Sequence, residues 1–400
     1  MRLRNWLRPA LPTAPFNKPR PSLGVYVHWP FCAALCPYCD FNVHLAAKAG
    51  PESWQDWAGA YHAELTHAHG IRADGPVETV FFGGGTPSLM SADLVAAILT
   101  SIDRLWGLAT TAEVSLEANP MSAPQVHLAD LRAAGVTRLS LGVQAFDDAA
   151  LKELGRTHNA ADARQAFAAA QSLYPRSSFD MMYARSGQSL TAWQDELRAA
   201  LALGGQHMSL YQLSIEPGTV YDKWHQSGRL NLPDEGLAAD MYEATQELCS
   251  AAGLPAYEIS NHAAAGHACR HNMASWQGGD YIGIGPGAHG RVTRPDGTRL
   301  ATVAARAPQD WLAQTGSQGH GWQSSTALSA AEATMEAVLL GLRLSAGLAL
   351  ADLQARGIEL QAARLQEARR LGLLSDDPSR LQASPQGRLL LDTLTGLLLA

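Results

Sequence analysis

The sequence predicts an α/β fold, a partial (β/α)6 barrel followed by a small, mainly α-helical C-terminal domain. Between residues 24 and 216, short runs of apolar, β-branched or aromatic residues alternate with alanine- and leucine-rich segments of helical character. Such alternation is typical of stacked βαβ units and a parallel sheet, which right-handed crossovers curl into a barrel or part of one. From residue 329 onward the pattern is helical.

The individual elements follow from this pattern. Strands are predicted over residues 24–28, 79–82, 113–116, 138–143, 178–182 and 207–213, with helices over 92–105, 125–134, 161–173 and 190–203 between them. Residues 218–256 favour helix and loop, and the glycine-rich segment 278–289 favours tight turns. C-terminal helices are predicted over 332–344, 351–355, 360–371 and from 386 onward. The chain therefore divides into a flexible tail (1–22), the barrel with its extension (23–300), a connector (301–328) and a C-terminal domain (329–400).

Composition excludes several classes of protein. The chain has 400 residues, a net charge of −7 and dispersed basic residues, so we expect no nucleic-acid partner. No run approaches the roughly 20 apolar residues that span a bilayer. Residues 1–22 are basic and contain five prolines. They favour a flexible tail, with a cleaved organelle-targeting peptide as the alternative, and we expect a cytoplasmic protein.

Polar residues stand at the end of each predicted strand. His28 ends the first strand and Gly83-Gly84-Gly85-Thr86 the second; Glu117 follows the third, Gln144 follows the fourth, Asp180 lies in the fifth, and Gln212 and Glu216 close the sixth. In parallel α/β barrels the carboxyl ends of the strands converge on the active site. The sequence therefore predicts a site at this edge.

Cys32, Cys36 and Cys39 are spaced C-x3-C-x2-C directly after the first strand, whereas Cys249 and Cys269 stand alone. Iron–sulfur clusters are held by cysteine thiolates. Three thiolates leave one iron of a four-iron cubane open to a chelating ligand. A zinc site completed by His28 or His44 is the alternative.

The segment Tyr26-Val-His28-Trp-Pro-Phe-Cys32-x3-Cys36-Pro-Tyr-Cys39 resembles the cluster loop of radical-SAM enzymes, in the coproporphyrinogen III oxidase-like branch. The resemblance runs from about Gly24 to the C-terminus. It implies a radical-SAM barrel with a [4Fe–4S] cluster whose fourth iron binds S-adenosylmethionine (SAM), which the reduced cluster cleaves to a 5′-deoxyadenosyl radical. The cofactor-binding residues that it implies, beside the three cysteines, are Tyr26, Gly84, Gly85, Thr86, Glu117, Gln144, Arg156 and Asp180. Arg156 would pair with the SAM carboxylate, and Glu117 would accept from the ribose hydroxyls.

Two departures favour one branch of this family. True coproporphyrinogen oxidases carry a further cysteine two places after the third, where this chain has Phe41. The sequence here resembles instead the HemW type, described as heme chaperones, in which a His-Asn-x-x-Tyr-Trp segment is associated with heme. In this chain that segment begins at His271, a candidate axial heme ligand, but Ser275 replaces the tyrosine. Residues 183–188 also lack the family's usual Gly-Leu-Pro.

The resemblance therefore implies a heme chaperone that holds a cluster, SAM and heme. The expected partners are heme or a porphyrin, recipient hemoproteins and an electron donor, with peripheral membrane contact. The alternatives are an oxygen-independent coproporphyrinogen III dehydrogenase and a cluster-binding scaffold without chemistry. The sequence assigns no catalytic residue.

Overall fold

A computed structural model describes residues 22–48, 50, 53–122 and 124–399. The predicted tail lies outside these residues except for Ser22. The strands are β1 (Leu23–Trp29), β2 (Phe31–Cys32), β3 (His44–Leu45), β4 (Val77–Gly84), β5 (Leu108–Ala118), β6 (Arg138–Gln144), β7 (Arg176–Tyr183), β8 (His207–Gln212), β9 (Asn261–Ala263), β10 (Asp280–Ile284), β11 (His289–Thr293), β12 (Arg299–Ala304), β13 (Trp322–Ala327), β14 (Leu348–Ala349) and β15 (Arg380–Leu381).

The α-helices fill the connections and the C-terminal region. They are α1 (Trp54–Ile71), α2 (Ala92–Trp106), α3 (Gln125–Ala133), α4 (Asp148–Glu153), α5 (Ala160–Leu173), α6 (Leu190–Leu201), α7 (Val220–Gln226), α8 (Glu235–Ala251), α9 (Arg270–Trp276), α10 (Pro308–Gln318), α11 (Ala330–Arg343), α12 (Leu350–Ala355), α13 (Ala362–Arg370), α14 (Pro385–Leu389) and α15 (Leu391–Leu399).

One large sheet organises the first part of the chain. Strands β1, β4, β5, β6, β7 and β8 lie side by side in chain order and run parallel. Strand β10 adds in parallel to the other side of β1, and β11–β13 continue the sheet antiparallel. The predicted α/β class and its parallel strands are confirmed.

The side chains of alternate strand residues explain why the helices pack where they do. Val25, Val80, Leu116, Leu139 and Phe179 are fully buried on the face that the helices cover. The opposite set points into the curve of the sheet, where Tyr26 stacks on Phe81 and Arg138 of β6 reaches His207 of β8. The apolar face forms the core, and the inner face is largely polar.

Residues 301–328 do not form the connector that was expected. They complete β12, form α10 and add β13 as the edge strand of the large sheet. In β13, Trp322 is buried and the other five residues are exposed. The strand therefore lacks the alternation of apolar and polar residues by which a strand is recognised in a sequence. The glycine-rich segment 278–289 likewise contains β10, not turns alone. Helix α1 was not predicted, because its buried face mixes Glu64 and two alanines with larger apolar residues.

The C-terminal region is helical, as predicted, and buries a cluster of its own around Val338, Leu342, Leu381 and Leu394. Helix α11 begins with a capping box in which Ser329 and Glu332 satisfy each other's backbone N–H groups. Among the described residues no helix is long and apolar enough to cross a membrane.

Candidate functional site

The predicted site residues, except Tyr26 and His271, line one cavity at the carboxyl ends of the parallel strands. Its volume is about 510 Å³. The lining includes Cys32, Cys36, Cys39, Gly84, Gly85, Thr86, Glu117, Gln144, Arg156 and Asp180. The polar residues near the carboxyl ends of the predicted strands therefore located the cavity. The role of each residue stays a prediction.

The end of β4 forms the wall against which the cysteine loop begins. The N–H of Gly85 donates to Trp29 O (2.7 Å) and that of Thr86 to Phe31 O (2.9 Å). Gly84 has φ 105°, and a Cβ there would lie 2.6 Å from the His28 ring; a Cβ on Gly85 would lie 2.7 Å from Phe31 O. Only glycine fits these two positions, so the backbone itself borders the cavity.

The three cysteines are half-buried around this cavity. Thr86 Oγ1 donates to Cys32 Sγ (3.3 Å), and Arg156 Nη1 donates to Cys36 Sγ (3.4 Å). Burial raises the pKa of Cys32, and it raises that of Cys39 to about 11. Without metal these two thiols hold their protons, so binding iron releases protons.

The geometry disfavours a zinc site completed by His28, whereas the buried Nε2 of His44 has no hydrogen-bond partner among the described residues. Among the described residues, no three His, Cys, Asp or Glu side chains are placed to hold one metal ion. His28 has both ring nitrogens engaged, by the Tyr26 hydroxyl (3.1 Å) and by Asn42 O (3.0 Å). In a cubane each cysteine binds a different iron, so three thiols need not converge on one point.

Two carboxyl groups face each other across the cavity floor. The pKa of Glu117 is raised to about 8, first by burial and then by the charge of Asp180, while the Gly84 N–H and Arg138 oppose the rise. Burial likewise raises the pKa of Asp180, against hydrogen bonds from Ser209 and Ser140. A ligand with hydroxyl or cationic groups would stabilise the ionised pair.

Arg156 is the cation at the cavity wall. Its Nη2 donates to Gly142 O (2.8 Å), and its buried Nε has no hydrogen-bond partner among the described residues. An unsatisfied buried donor is costly, and an anionic ligand group would remove that cost. The donors therefore fit the implied group: three thiols for iron, and a guanidinium beside Cys36 for a carboxylate.

Backbone strain lies next to the site. Gln144 is a non-glycine residue with φ 71°, at a register shift between β6 and β7. Ala184, in the loop that lacks the family's Gly-Leu-Pro, also has a positive φ of 56°. In the turn after β7, an alanine therefore adopts a backbone conformation that favours glycine.

Sequence reasoning missed Asn42, which ties down the far end of the cysteine loop. Its Nδ2 donates to Pro286 O (3.0 Å) and Arg306 O (2.8 Å). The turn that contains Pro286 is fixed by a second hydrogen bond, because the Gly285 N–H donates to the buried Glu64 carboxyl (2.8 Å). The glycine-rich segment 278–289 was the available signal, and its role is to support the loop.

The structure does not bring His271 to this cavity. His271 lies in α9 at the opposite end of the barrel, packed against Gly24 and Phe81, and its Nδ1 bonds to Thr79 Oγ1 (2.9 Å). It is 7% exposed, and burial lowers its pKa to about 4. Tyr26 lies between the two ends, and burial followed by the nearby Glu117 charge raises its pKa.

Comparison with known proteins shows the family of this chain. Residues 26–200 match the Radical SAM superfamily, and residues 328–390 match the HemN C-terminal domain. The chain is 39% identical to the radical S-adenosyl methionine domain-containing protein 1, mitochondrial, of Bos taurus, over 97% of this chain and 90% of that one. It is 36% identical to the heme chaperone HemW of Escherichia coli, over 95% of this chain and 99% of that one.

The chain belongs to the HemW family of the radical SAM superfamily. The HemW protein of Mycobacterium tuberculosis is 37% identical over 95% of this chain and 96% of that one. Among solved structures, the coproporphyrinogen III oxidase HemN of Escherichia coli matches with a TM-score of 0.77 at 20% identity, covering 95% of this chain and 91% of that one. That similarity shows the fold, and it confirms the predicted radical-SAM barrel with a helical C-terminal region.

Proposed function

We propose that this protein is a heme chaperone that binds a [4Fe–4S] cluster, SAM and heme and delivers heme to hemoproteins. The observation that carries the proposal is the similarity to HemW proteins along nearly the whole length of both chains. The proposal also includes a cytoplasmic location, an electron donor for the cluster and peripheral contact with a membrane.

The cavity residues account for the cofactor half of the proposal. Cys32, Cys36 and Cys39 would hold the cluster, and Arg156 would bind the carboxylate of SAM. Bound there, the cluster and SAM supply one-electron chemistry. Glu117 and Asp180 would orient the ribose, and the glycine backbone at the end of β4 would allow close approach.

The mouth of the cavity supports an apolar ligand or partner. Five large side chains at its rim are exposed by 37–60%: Leu35, Phe41, Leu89, Met121 and Tyr211. Phe41 stands where the oxidases have their further cysteine, and at 60% it is the most exposed of the five. Exposed apolar side chains around the mouth of a cavity are typical of a binding surface.

His271 can bind heme iron only if the base of the barrel opens. Its imidazole is neutral at physiological pH because burial lowers its pKa, so the electron pair is available. Thr79 and the packing of α9 occupy that position in the described structure. Heme ligation by His271 therefore requires α9 to move, and heme would then be bound away from the cluster.

The SAM assignment is tested on anaerobically reconstituted protein by isothermal titration. Glu117→Ala removes a buried acceptor for two hydroxyls and is expected to weaken SAM by about 1–3 kcal/mol. The cluster absorption is the control and should not change. Unaltered affinity would remove Glu117 from the site.

The chaperone is separated from the dehydrogenase by a paired assay. We expect stoichiometric heme binding, transfer of heme to an apo-hemoprotein, and no conversion of coproporphyrinogen III under reducing, SAM-replete conditions. His271→Ala should lower heme occupancy, and Ser275→Tyr, which restores the family residue, should raise it. Protoporphyrinogen formed together with 5′-deoxyadenosine would establish the dehydrogenase instead.

A further inference from the structure

A chain of hydrogen bonds runs inside the barrel from a buried arginine to the floor of the cavity. Arg138 Nη2 donates to Ser178 Oγ (2.8 Å), and Ser178 Oγ is 2.8 Å from Ser140 Oγ. Ser140 Oγ in turn donates to Asp180 Oδ1 (3.1 Å). Two hydroxyl groups on neighbouring strands thus connect the guanidinium of Arg138 to the carboxyl of Asp180.

Alternation along the strands produces this chain. Arg138 and Ser140 of β6 face inward together, as do Ser178 and Asp180 of β7, and the register pairs Ser140 with Ser178. The inner face of a packed α/β barrel is usually filled by large branched side chains. Here small hydroxyl residues occupy it, and they leave a polar path.

Arg138 differs from the other buried arginines. The other buried ones, Arg72 and Arg185, form salt bridges with Asp280 and Glu196 respectively, and the partly exposed Arg176 pairs with Glu113. Arg138 is 3% exposed, and no salt bridge joins it to a carboxylate in the part of the chain that the structure describes. Its other contact is His207 Nδ1 (3.4 Å). A buried charge without a direct partner is costly unless a nearby charge compensates it.

The carboxyl groups whose charge acts on Arg138 are those of Glu113 and Asp180. The charge of Arg138 lowers the pKa of both Glu117 and Asp180 against the rise that burial causes. The other groups that face Glu117 are Asp180, Tyr26, Tyr211 and Cys32, and the other cation that faces Asp180 is Arg156. Arg138 is therefore the cation that acts on both carboxyls.

We propose that Arg138 is a positioning residue of the SAM site, which orients the Asp180 carboxylate through Ser178 and Ser140 and is the buried cation beneath the cavity floor. The inference rests on the proposed assignment of these carboxylates to SAM. An ionised carboxylate accepts two ribose hydroxyls, whereas a protonated one competes as a donor. Arg138 never contacts SAM in this arrangement and acts only through the acids.

The test is the pH profile of SAM affinity, measured by titration calorimetry on the reconstituted holoprotein. In the natural protein, affinity should rise with pH as the pair ionises. In Arg138→Gln the rise in SAM affinity should move to higher pH. For each pH unit by which it moves, SAM should bind about tenfold more weakly at neutral pH. Arg138→Lys keeps the charge and should keep the position of the rise. The amino group of SAM also titrates, and it contributes equally to the pH profile of every variant.

Two further variants separate charge from geometry. Ser178→Ala breaks the chain without removing charge, so it should weaken SAM at every pH and leave the position of the rise unchanged. Arg176→Gln removes a barrel cation that is paired with Glu113 and should leave the profile as in the natural protein. Cluster absorption and far-ultraviolet circular dichroism check that each variant is folded and loaded.

The outcomes are distinct. A profile of Arg138→Gln that superimposes on that of the natural protein, or an equal shift in Arg176→Gln, overturns the inference and leaves the SAM site standing. If Arg138→Gln does not fold, unchanged affinity in Ser178→Ala overturns the orienting role. If the natural holoprotein binds no SAM at any pH, the proposed cofactor site fails, and the inference fails with it.

Discussion

The two ends of the barrel interior carry the same kinds of side chain in opposite states. At the base, Glu113 accepts from Arg176 Nε (3.0 Å) and from the Arg270 N–H (2.8 Å), and Cys269 is fully buried. At the carboxyl ends, Glu117 faces a cavity and another acid, and the three clustered cysteines are half-buried. Arg156 also lies at this end of the barrel.

This difference separates structural from functional polar groups. At the base, the buried Glu113 has an ion-pair partner in Arg176, and losing that partner leaves an uncompensated charge. At the other end two acids lie beside each other, and Arg156 Nε has no hydrogen-bond partner among the described residues. Residue type alone does not distinguish the two ends, since each has acids, arginines and cysteine.

The largest expected effect compares cysteines at the two ends. Cys36→Ala removes a cluster ligand and should abolish the visible charge-transfer absorption, from about four irons per chain to none. Cys269→Ala, at the base, should leave iron content unchanged. Iron and sulfide analysis after anaerobic reconstitution measures both. Zinc in place of iron in the natural protein would contradict the assignment.

A second comparison sets Glu113 against Glu117. Glu113→Gln removes a buried carboxylate that pairs with the partly exposed Arg176 and accepts from the Arg270 N–H, and it should lower the free energy of unfolding by about 1–3 kcal/mol. Glu117→Gln removes a charge that burial disfavours, so it should leave the unfolding free energy unchanged or raise it. Urea denaturation of the apoprotein near pH 8 is the measurement. Equal destabilisation by the two variants would erase the proposed distinction.

Stability should also depend on pH through Glu117. Its pKa is raised to about 8 in the folded protein, whereas an unfolded glutamate titrates near about 4.3. The folded protein therefore holds a proton that the unfolded chain has released, and the contribution of Glu117 to the free energy of unfolding should fall as pH rises toward about 8 and then level off.

This slope is measured between about pH 7 and 8, above most of the titration of ordinary histidines and below the range in which the buried thiols of Cys39 and Cys249, whose pKa is raised, add to the fall. His262 and His271, whose pKa is lowered to about 4, contribute the opposite slope only at lower pH. Burial raises the pKa of Glu64 to about 7, so Glu64 adds to the fall in the free energy of unfolding near neutral pH. Glu117→Gln should flatten the upper part of the curve, and an unaltered slope in that variant would exclude Glu117 as its source.

The smallest expected effect concerns the support of the cysteine loop. Asn42→Ala removes two hydrogen bonds to Pro286 O and Arg306 O, worth about 1 kcal/mol each. The cluster should still form but lose iron faster to a chelator, because Cys39 is no longer anchored on that side. Asn159→Ala, a helix cap at α5, is a matched control that should not change the rate of iron loss.

Local pattern determined much of this molecule. The runs that alternate between helix and strand placed the six parallel strands within a few residues, because each element buries its own apolar face. The spacing of Cys32, Cys36 and Cys39 and the glycines at Gly84 and Gly85 located the cavity, since the carboxyl ends of parallel strands meet at one edge.

Tertiary structure alone decided which polar groups are satisfied. His271 was expected near heme and lies instead against Thr79 at the barrel base, because α9 closes that end. Glu113 and Glu117 lie four residues apart on one strand, yet Arg176 pairs with the first and Asp180 repels the second. Burial and the charges of distant neighbours set these states, and neither is written in local sequence.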